Sequence, residues 1–231
     1  MDEVRPKFVF PHRGFYIVTD KVAEADFFLE RLIEAQGYSS FPFYFSAFVS
    51  AARSVTFALQ AVMAEFPGFA EWYASERKGL QESPLAKFFV QLRNHLQKVG
   101  SVPVSQSGKF DGEGFISTAY FIPIAADLEN VPDGEVTDLC CRYLQEVLTL
   151  VGKAYRHFDV YVDPRALFTR RARDMLNWSI EDLEEALGFP RGWTHVPDWD
   201  GDLEAERLNV LRTQGGDEEM EQWIAKYRIG V

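Results

Sequence analysis

The pattern of apolar and polar positions predicts several helices in the first hundred residues. The first is predicted from Asp20 to Gly37, because apolar residues follow helical spacing and the glycine can end the helix. The next is predicted from Ser40 to about Phe66, with Pro42 in its first turn. This second helix is apolar almost all round, which is typical of a helix buried centrally in a bundle.

Two further helices are predicted between residues 69 and 100. The shorter covers about 69–79, and the longer has Ser83 at its N-cap, Pro84 at its first position and Gly100 just past its end. The longer helix places Arg93 beside its apolar stripe. That stripe consists of Leu85, Phe88, Phe89, Leu92, Leu96 and Val99.

Strand-like patterns occur in two places. Residues 8–18 contain the short runs FVF and FYIV, separated by PHRG, and they predict an N-terminal β-like segment over residues 1–19. Residues of about 101–124 alternate around the Gly-rich turn GKFDGEG and predict a β-hairpin.

A long helix is predicted from Asp133, with a broad apolar face that would complete a four-helix core. Shorter helices follow at about 164–176, 179–188, 202–212 and 217–228. The sequence therefore predicts a mainly α fold in which residues 20–160 form a four-helix bundle with a hairpin insertion. Residues 161–231 form an acidic helical extension in this interpretation.

Charge and composition exclude several classes of protein. The net charge is −11, and residues 111–231 carry 24 acidic against 12 basic side chains. Nonspecific DNA binding requires clustered Lys and Arg, so this balance argues against a DNA-binding surface but leaves room for a local basic site. The chain shows no signal-peptide pattern and no window of eighteen consecutive apolar residues, so we expect neither export nor membrane insertion.

The two cysteines indicate a reducing compartment. Cys140 and Cys141 are adjacent on a predicted helix, where a disulfide between them would be strained. We therefore expect a cytoplasmic protein.

The stretch FFVQLRNHLQKVG, residues 88–100, places Arg93 and Asn94 in the middle of an apolar helix. Together with the helical pattern over roughly residues 20–160, this pair resembles the HEPN group of helical proteins, many of which are metal-independent ribonucleases or their inactive relatives. In active members, four to six residues separate the arginine from a histidine near the helix end. Here Lys98, Val99 and Gly100 follow instead, and His95 is only two residues after Arg93.

The missing histidine changes the chemistry that the resemblance implies. Metal-free RNA cleavage needs an acid or base that titrates near neutral pH, and histidine is the usual choice. Lys98 could bind phosphate as a point charge instead. The resemblance therefore implies a non-catalytic phosphate, nucleotide or RNA site at Arg93 and Asn94, to which Lys98 and Arg53 are added as candidate ligand-binding residues. We expect no cofactor, metal or catalytic residue. The alternatives are a structural or protein-interaction module that forms a homodimer, and a metal-independent ribonuclease.

Arg53 belongs to a polar seam on the apolar second helix, formed by Ser46, Ser50, Arg53, Phe57 and Gln60. If Arg53 faces Arg93, the two cations would hold an anion. If they face Glu30, Glu34 or Glu65, the seam is merely a set of satisfied ion pairs.

Two acidic stretches have weaker functional interpretations. The stretch WSIEDLEEALGFPRGW, residues 178–193, has the outline of a helix-turn-helix unit, although its helix is acidic and Ser179 with Asp182 approximates a capping box. The stretch DWDGDLE is similar to a calcium loop but has the wrong spacing, and Asp202 is predicted to cap a helix.

Overall fold

The computed structural model describes residues 15–37, 39–100, 102–110, 112, 115–122, 128, 130–215 and 219–231. These residues form eleven helices and one two-stranded antiparallel sheet, so the predicted mainly α class is confirmed. The elements are α1 Tyr16–Glu34, α2 Phe41–Met63, α3 Phe69–Glu82, α4 Pro84–Val99, β1 Val104–Phe110, β2 Phe115–Phe121, α5 Val136–His157, α6 Asp159–Val162, α7 Pro164–Leu167, α8 Arg170–Leu176, α9 Ile180–Ala186, α10 Leu203–Gln214 and α11 Glu219–Lys226.

Helix α4 begins and ends where its sequence predicts. The Ser83 hydroxyl accepts a 3.2 Å hydrogen bond from the Ala86 amide, and Pro84 occupies the first helical position. Gly100 ends the helix in the left-handed conformation, with φ of 75°, which a side chain would disfavour.

The main core lies between the four long helices. Helix α1 packs along α2, and α2, α4 and α5 contact one another. Large apolar side chains that are almost completely buried fill the space between them, including Phe45, Phe48, Leu59, Leu92 and Leu144.

The β-like prediction for residues 15–18 is wrong. Tyr16, Ile17 and Val18 form the first turn of α1, and Val18 is fully buried at helical spacing from Val22 and Ala25. A short apolar run fits either period, and here packing against the core selects the helix. The FVF run at 8–10 lies outside the described residues.

The prediction that the apolar stripe of α4 extends to Val99 is also wrong. Val99 is 59% exposed, because the helix stops there and turns at Gly100. His95, which is only 5% exposed, faces the interior instead.

The predicted hairpin is present. Strands β1 and β2 pair in antiparallel register, with Val104 opposite Phe121. Phe121 is buried, and its ring centre lies 4.9 Å from that of Phe88. The hairpin is thereby fixed to the bundle at the end remote from its turn.

The C-terminal part forms a second core and then returns to the first. Apolar residues of α7, α9 and α10, with Phe168, Trp178 and Leu187 beside them, make a separate buried cluster. Helix α11 contacts α1 and α5, and Met220 and Tyr227 belong to the main core.

The helix-turn-helix outline of this part is wrong. After α9 the chain forms no helix until Leu203, so no recognition helix follows the turn, and Ser179 and Asp182 make the predicted capping box. Asp202 accepts a 3.1 Å hydrogen bond from the Ala205 amide and caps α10, as predicted. Within the described ranges, no group of three potential metal ligands is present.

Helix α2 is the described helix whose length and composition would also suit a membrane span. Within its most apolar window, 56% of the residues are buried inside the protein. Core helices of globular proteins have the same composition, because they too must lose contact with water.

Candidate anion-binding cavity

A cavity of about 470 Å³ opens between helices α2, α3, α4 and α5. Three members of the predicted α2 seam, Arg53, Phe57 and Gln60, line it, whereas Ser46 and Ser50 do not. This volume lies within the range that holds a small organic ligand.

Three cationic side chains line this cavity. Arg53 is half-buried, whereas Arg77 on α3 and Lys87 on α4 are exposed at the rim. No aspartate or glutamate lines the cavity, and none of the three cations forms an ion pair with a residue that the structure describes. The cavity is therefore positive in a chain whose net charge is −11.

Arg53 is oriented by neighbours on its own helix. Its Nη1 donates a 3.0 Å hydrogen bond to Thr56 Oγ1, and the Thr56 hydroxyl donates in turn to the Arg53 carbonyl at 3.1 Å. The guanidinium carbon lies 4.5 Å from the centre of the Phe57 ring, a cation–π distance. These contacts leave donors of the guanidinium available to a ligand.

Tyr143 of α5 forms part of the cavity floor. The residue is 3% exposed, and its ring stacks on that of Phe89 with the centres 4.3 Å apart. Its hydroxyl makes no hydrogen bond to any residue in the described part of the chain. Burial raises the pKa of Tyr143 to about 12, although the nearby Arg53 acts in the opposite direction. At neutral pH the hydroxyl is therefore a protonated donor without a protein acceptor.

Tyr73 is a second buried phenol in the cavity wall. Burial raises its pKa, and the positive charges of Arg53 and Arg77 partly oppose this effect. Amide side chains from Gln60, Gln81 and Gln91 add polar atoms around these phenols. The cavity thus combines cations, neutral donors and aromatic faces.

The orientation of α4 adds to the positive potential. Ala86 and Lys87, in its first turn, line the cavity. The N-terminal end of a helix carries partial positive charge, which favours an anion nearby. A smaller neighbouring cavity of about 300 Å³ contains Glu76, Glu146 and Lys153 and lacks this positive character.

The structure separates the four predicted ligand-binding residues. Arg53 lines the cavity, whereas Arg93, Asn94 and Lys98 do not. Arg93 is half-buried and donates a long 3.5 Å hydrogen bond to Asn94 Oδ1, and Asn94 and Lys98 are exposed. Arg53 is brought together with Arg77 and Lys87 instead.

The interpretation in which Arg53 and Arg93 face acids is wrong within the described residues. Glu30 pairs with Lys226 and Glu34 pairs with Arg31, while Glu65 is exposed. Neither arginine therefore belongs to a network of described buried carboxylates.

Sequence reasoning missed Arg77, Lys87 and Tyr143. Arg77 and Lys87 look like ordinary exposed positions, and Tyr143 looks like a member of an apolar stripe. A weak signal existed for Arg77, since it follows Tyr73 by four residues and lies on the same helix face.

Comparison with known proteins gives one family similarity. Residues 36–108 match the model of the family described as bacteriophage lambda protein ea47. The matched segment is about a third of the chain and includes α2, α3 and α4, which carry the three cations of the cavity. Tyr143 and the rest of α5 lie outside it. No curated protein and no solved structure matches the chain.

Proposed function

We propose that the protein binds a phosphate-bearing ligand, a nucleotide or a short RNA, in the cavity between α2, α3, α4 and α5. The observation that carries this proposal is the placement of Arg53, Arg77 and Lys87 around one cavity without a lining carboxylate. Like charges near each other raise the free energy of the empty site, and a bound anion removes that cost.

The chemistry of the lining suits phosphate with an attached ring. A guanidinium offers several donors in a plane that matches phosphate oxygens, and an ammonium adds a point charge. Phe57 is 50% exposed at the cavity wall and offers an aromatic face on which a base could stack. Gln81 offers an amide group for the polar edge of such a base, whereas the Gln60 amide already donates to the Thr56 carbonyl at 2.9 Å.

We also propose that the bundle is HEPN-like and non-catalytic. The Arg93–Asn94 pair in a long helix supports the resemblance, and the absence of histidine at positions 98–100 supports a non-catalytic site. In this proposal Arg93 and Lys98 lie further along α4 than the cavity residues and contact phosphates of a longer RNA. We further propose a cytoplasmic location, in keeping with the two free cysteines.

A thermal-shift experiment tests the binding proposal. Nucleotides and short RNAs should raise the melting temperature of the protein, because a ligand that binds only the folded state stabilises it. Arg53→Gln should remove most of that shift, and added salt should weaken binding because phosphate contacts release counterions.

Arg93→Gln is the matched control, since this arginine is half-buried on the same bundle but does not line the cavity. Mononucleotide binding should survive this change. If Arg93→Gln abolishes the shift while Arg53→Gln does not, the ligand binds at the predicted Arg93–Lys98 surface instead. If no phosphate compound shifts the melting temperature, the binding proposal fails and a structural or interaction role is favoured.

An interaction role has its own supporting observation. Phe43 and Phe57 on α2 are 75% and 50% exposed, which suits a surface that another protein copy covers. Light scattering of the purified protein tests for the homodimer, and a monomer at micromolar concentration would argue against it.

The ribonuclease alternative requires a separate assay. Single-stranded RNA incubated with the protein and a chelator should show no cleavage above that of the Arg93→Ala variant. Cleavage that disappears in this variant would show that the Arg93–Asn94 site is catalytic.

A further inference from the structure

We propose that the cavity recognises a terminal phosphate monoester, carried by a mononucleotide or by the phosphorylated end of a nucleic-acid chain, and does not accept the interior of a strand. This inference rests on the proposed function and specifies its ligand. Two features carry it: helix α5 backs the cavity, and the almost completely buried Tyr143 on that helix has a hydroxyl without an acceptor among the described residues.

Helix α5 closes the cavity. Its lining residues Tyr143 and Val147 are 3% and 1% exposed, and Thr56 of α2 is 1% exposed. Helices α1 and α11 also pack against α5. A ligand therefore meets a wall on the α5 side and approaches from the opposite, open side.

A cavity that is backed on one side discriminates between the two kinds of phosphate. An internal phosphodiester is continued by the chain on both sides, so both continuations would have to leave through the same rim. A terminal monoester is continued on one side only and can reach the floor with its three terminal oxygens. The shape of the cavity thus favours a chain end or a free nucleotide.

The donors that line the cavity differ in burial. Tyr143 is 3% exposed and its hydroxyl has no acceptor among the described residues, whereas Arg53 is half-buried. A phosphate oxygen can accept hydrogen bonds from both groups, and the bond from the guanidinium is charge-assisted. The exposed Arg77 and Lys87 lie at the rim, where they would attract the incoming dianion.

The base would then lie near the rim. Phe57 is half-exposed there, and the Arg53 guanidinium already covers one of its faces. A base that follows the phosphate would meet this ring or the amides beside it. Because stacking on an aromatic ring tolerates any base, we expect little sequence preference.

The experiment uses fluorescence anisotropy with one short single-stranded RNA prepared in three forms: 5′-phosphorylated, 3′-phosphorylated and with two hydroxyl ends. The label is attached to an internal base. One phosphorylated form should bind at least about tenfold more tightly than the hydroxyl form, as expected for added charge-assisted hydrogen bonds. Unlabelled adenosine monophosphate should compete with it, and adenosine should not.

Tyr143→Phe tests whether the bound phosphate contacts the Tyr143 hydroxyl. It should weaken binding of the preferred phosphorylated form by about tenfold and leave the hydroxyl form nearly unchanged, because one hydrogen bond to a charged group is lost. Tyr120→Phe is the control, since Tyr120 is 46% exposed on β2 and does not line the cavity. Arg53→Gln, at a half-buried position, provides a second test if Tyr143→Phe does not fold.

The outcomes separate this inference from the function on which it rests. If all three RNA forms bind equally and Tyr143→Phe has no effect, the terminal-phosphate inference is overturned while the binding function stands. If neither RNA nor adenosine monophosphate binds, both are overturned. If adenosine monophosphate binds and no RNA does, the inference holds and the source is a free nucleotide.

Discussion

The hydroxyl of Tyr227 donates a 2.6 Å hydrogen bond to Asp26 Oδ1, across 201 positions of the chain. Both residues are more than nine-tenths buried. The Lys226 ammonium lies 2.6 Å from the same carboxylate and 2.8 Å from that of Glu30. These contacts attach α11 to α1 and make the C-terminal segment part of the main bundle.

Tyr227→Phe should lower the free energy of unfolding by about 1.5–3 kcal/mol, because it removes a buried hydrogen bond to a charged group. Urea denaturation measures the loss. Tyr16→Phe serves as the control: Tyr16 is 52% exposed on α1, and its loss should change stability by less than about 0.5 kcal/mol. Equal effects of the two changes would show that the contact contributes nothing.

We also expect the stability contributed by Tyr227 to be lost at high pH. Burial and the hydrogen bond to Asp26 raise the pKa of Tyr227. The stabilisation by the Tyr227 hydroxyl is therefore fully present below about pH 10, the pKa of a tyrosine in the unfolded chain. It is lost as the pH rises above that value. Wild-type stability should fall more steeply than that of Tyr227→Phe between about pH 10 and 11.

Among the acidic residues of the C-terminal part, Glu184 should be the one whose substitution lowers stability most. It is completely buried, and its Oε1 accepts hydrogen bonds from the Thr194 amide at 2.7 Å and from Arg207 at 3.1 Å. The amide of Gly192 donates to its other oxygen. Glu184→Gln should cost about 3 kcal/mol, because it removes the charge and turns an amide donor toward other donors.

The effect of Glu184→Gln should also depend on pH. Burial by itself would raise the pKa of Glu184, but the hydrogen bonds from Thr194, Arg207 and Gly192 outweigh it and lower that pKa. The stabilisation is therefore present above the unfolded carboxyl pKa of about 4.3 and is lost as pH falls through the lower folded value. Denaturation curves of wild type and variant should converge in acid, whereas Glu206→Gln, at an exposed position, should behave as wild type at every pH.

Arg93→Ala should change the free energy of unfolding by less than about 0.5 kcal/mol. Arg93 has no carboxylate partner among the described residues, so the change leaves no described acid uncompensated. Chemical denaturation is the measurement. A loss near 3 kcal/mol, the magnitude expected when a buried ion pair is broken, would contradict this assignment.

Two glycines inside helices should respond in opposite ways to alanine. A Cβ at Gly79 in α3 would meet no atom within 4 Å, so Gly79→Ala should stabilise the protein by about 0.5–1 kcal/mol. A Cβ at Gly152 in α5 would lie 3.1 Å from Val231 Cγ2. Gly152→Ala should therefore be about 1–3 kcal/mol less favourable than Gly79→Ala, because the C-terminal segment must shift. Thermal unfolding compares the two, and equal gains would show that Val231 is not held against α5.

The sequence by itself determined the features that depend on neighbouring residues. The ends of α4 were predictable because Ser83, Pro84 and Gly100 act on the backbone beside them. The mainly α class was predictable because apolar spacing reports the period of each element. The helical conformation of residues 15–18 was not predictable, since four consecutive apolar residues fit a strand or a helix equally well. Packing against the core selects the helix.

The candidate site depended on how the helices are rotated and placed. Arg53 was predictable as an unusual residue of an apolar helix, but its neighbours were not, because Arg77 and Lys87 lie on α3 and α4 and Tyr143 lies on α5. An apolar stripe defines which face of a helix is buried and leaves open which residues of other helices meet at its edge. That meeting, like the contact of Asp26 with Tyr227, is set by the packing of many side chains at once, and only the tertiary structure decided it.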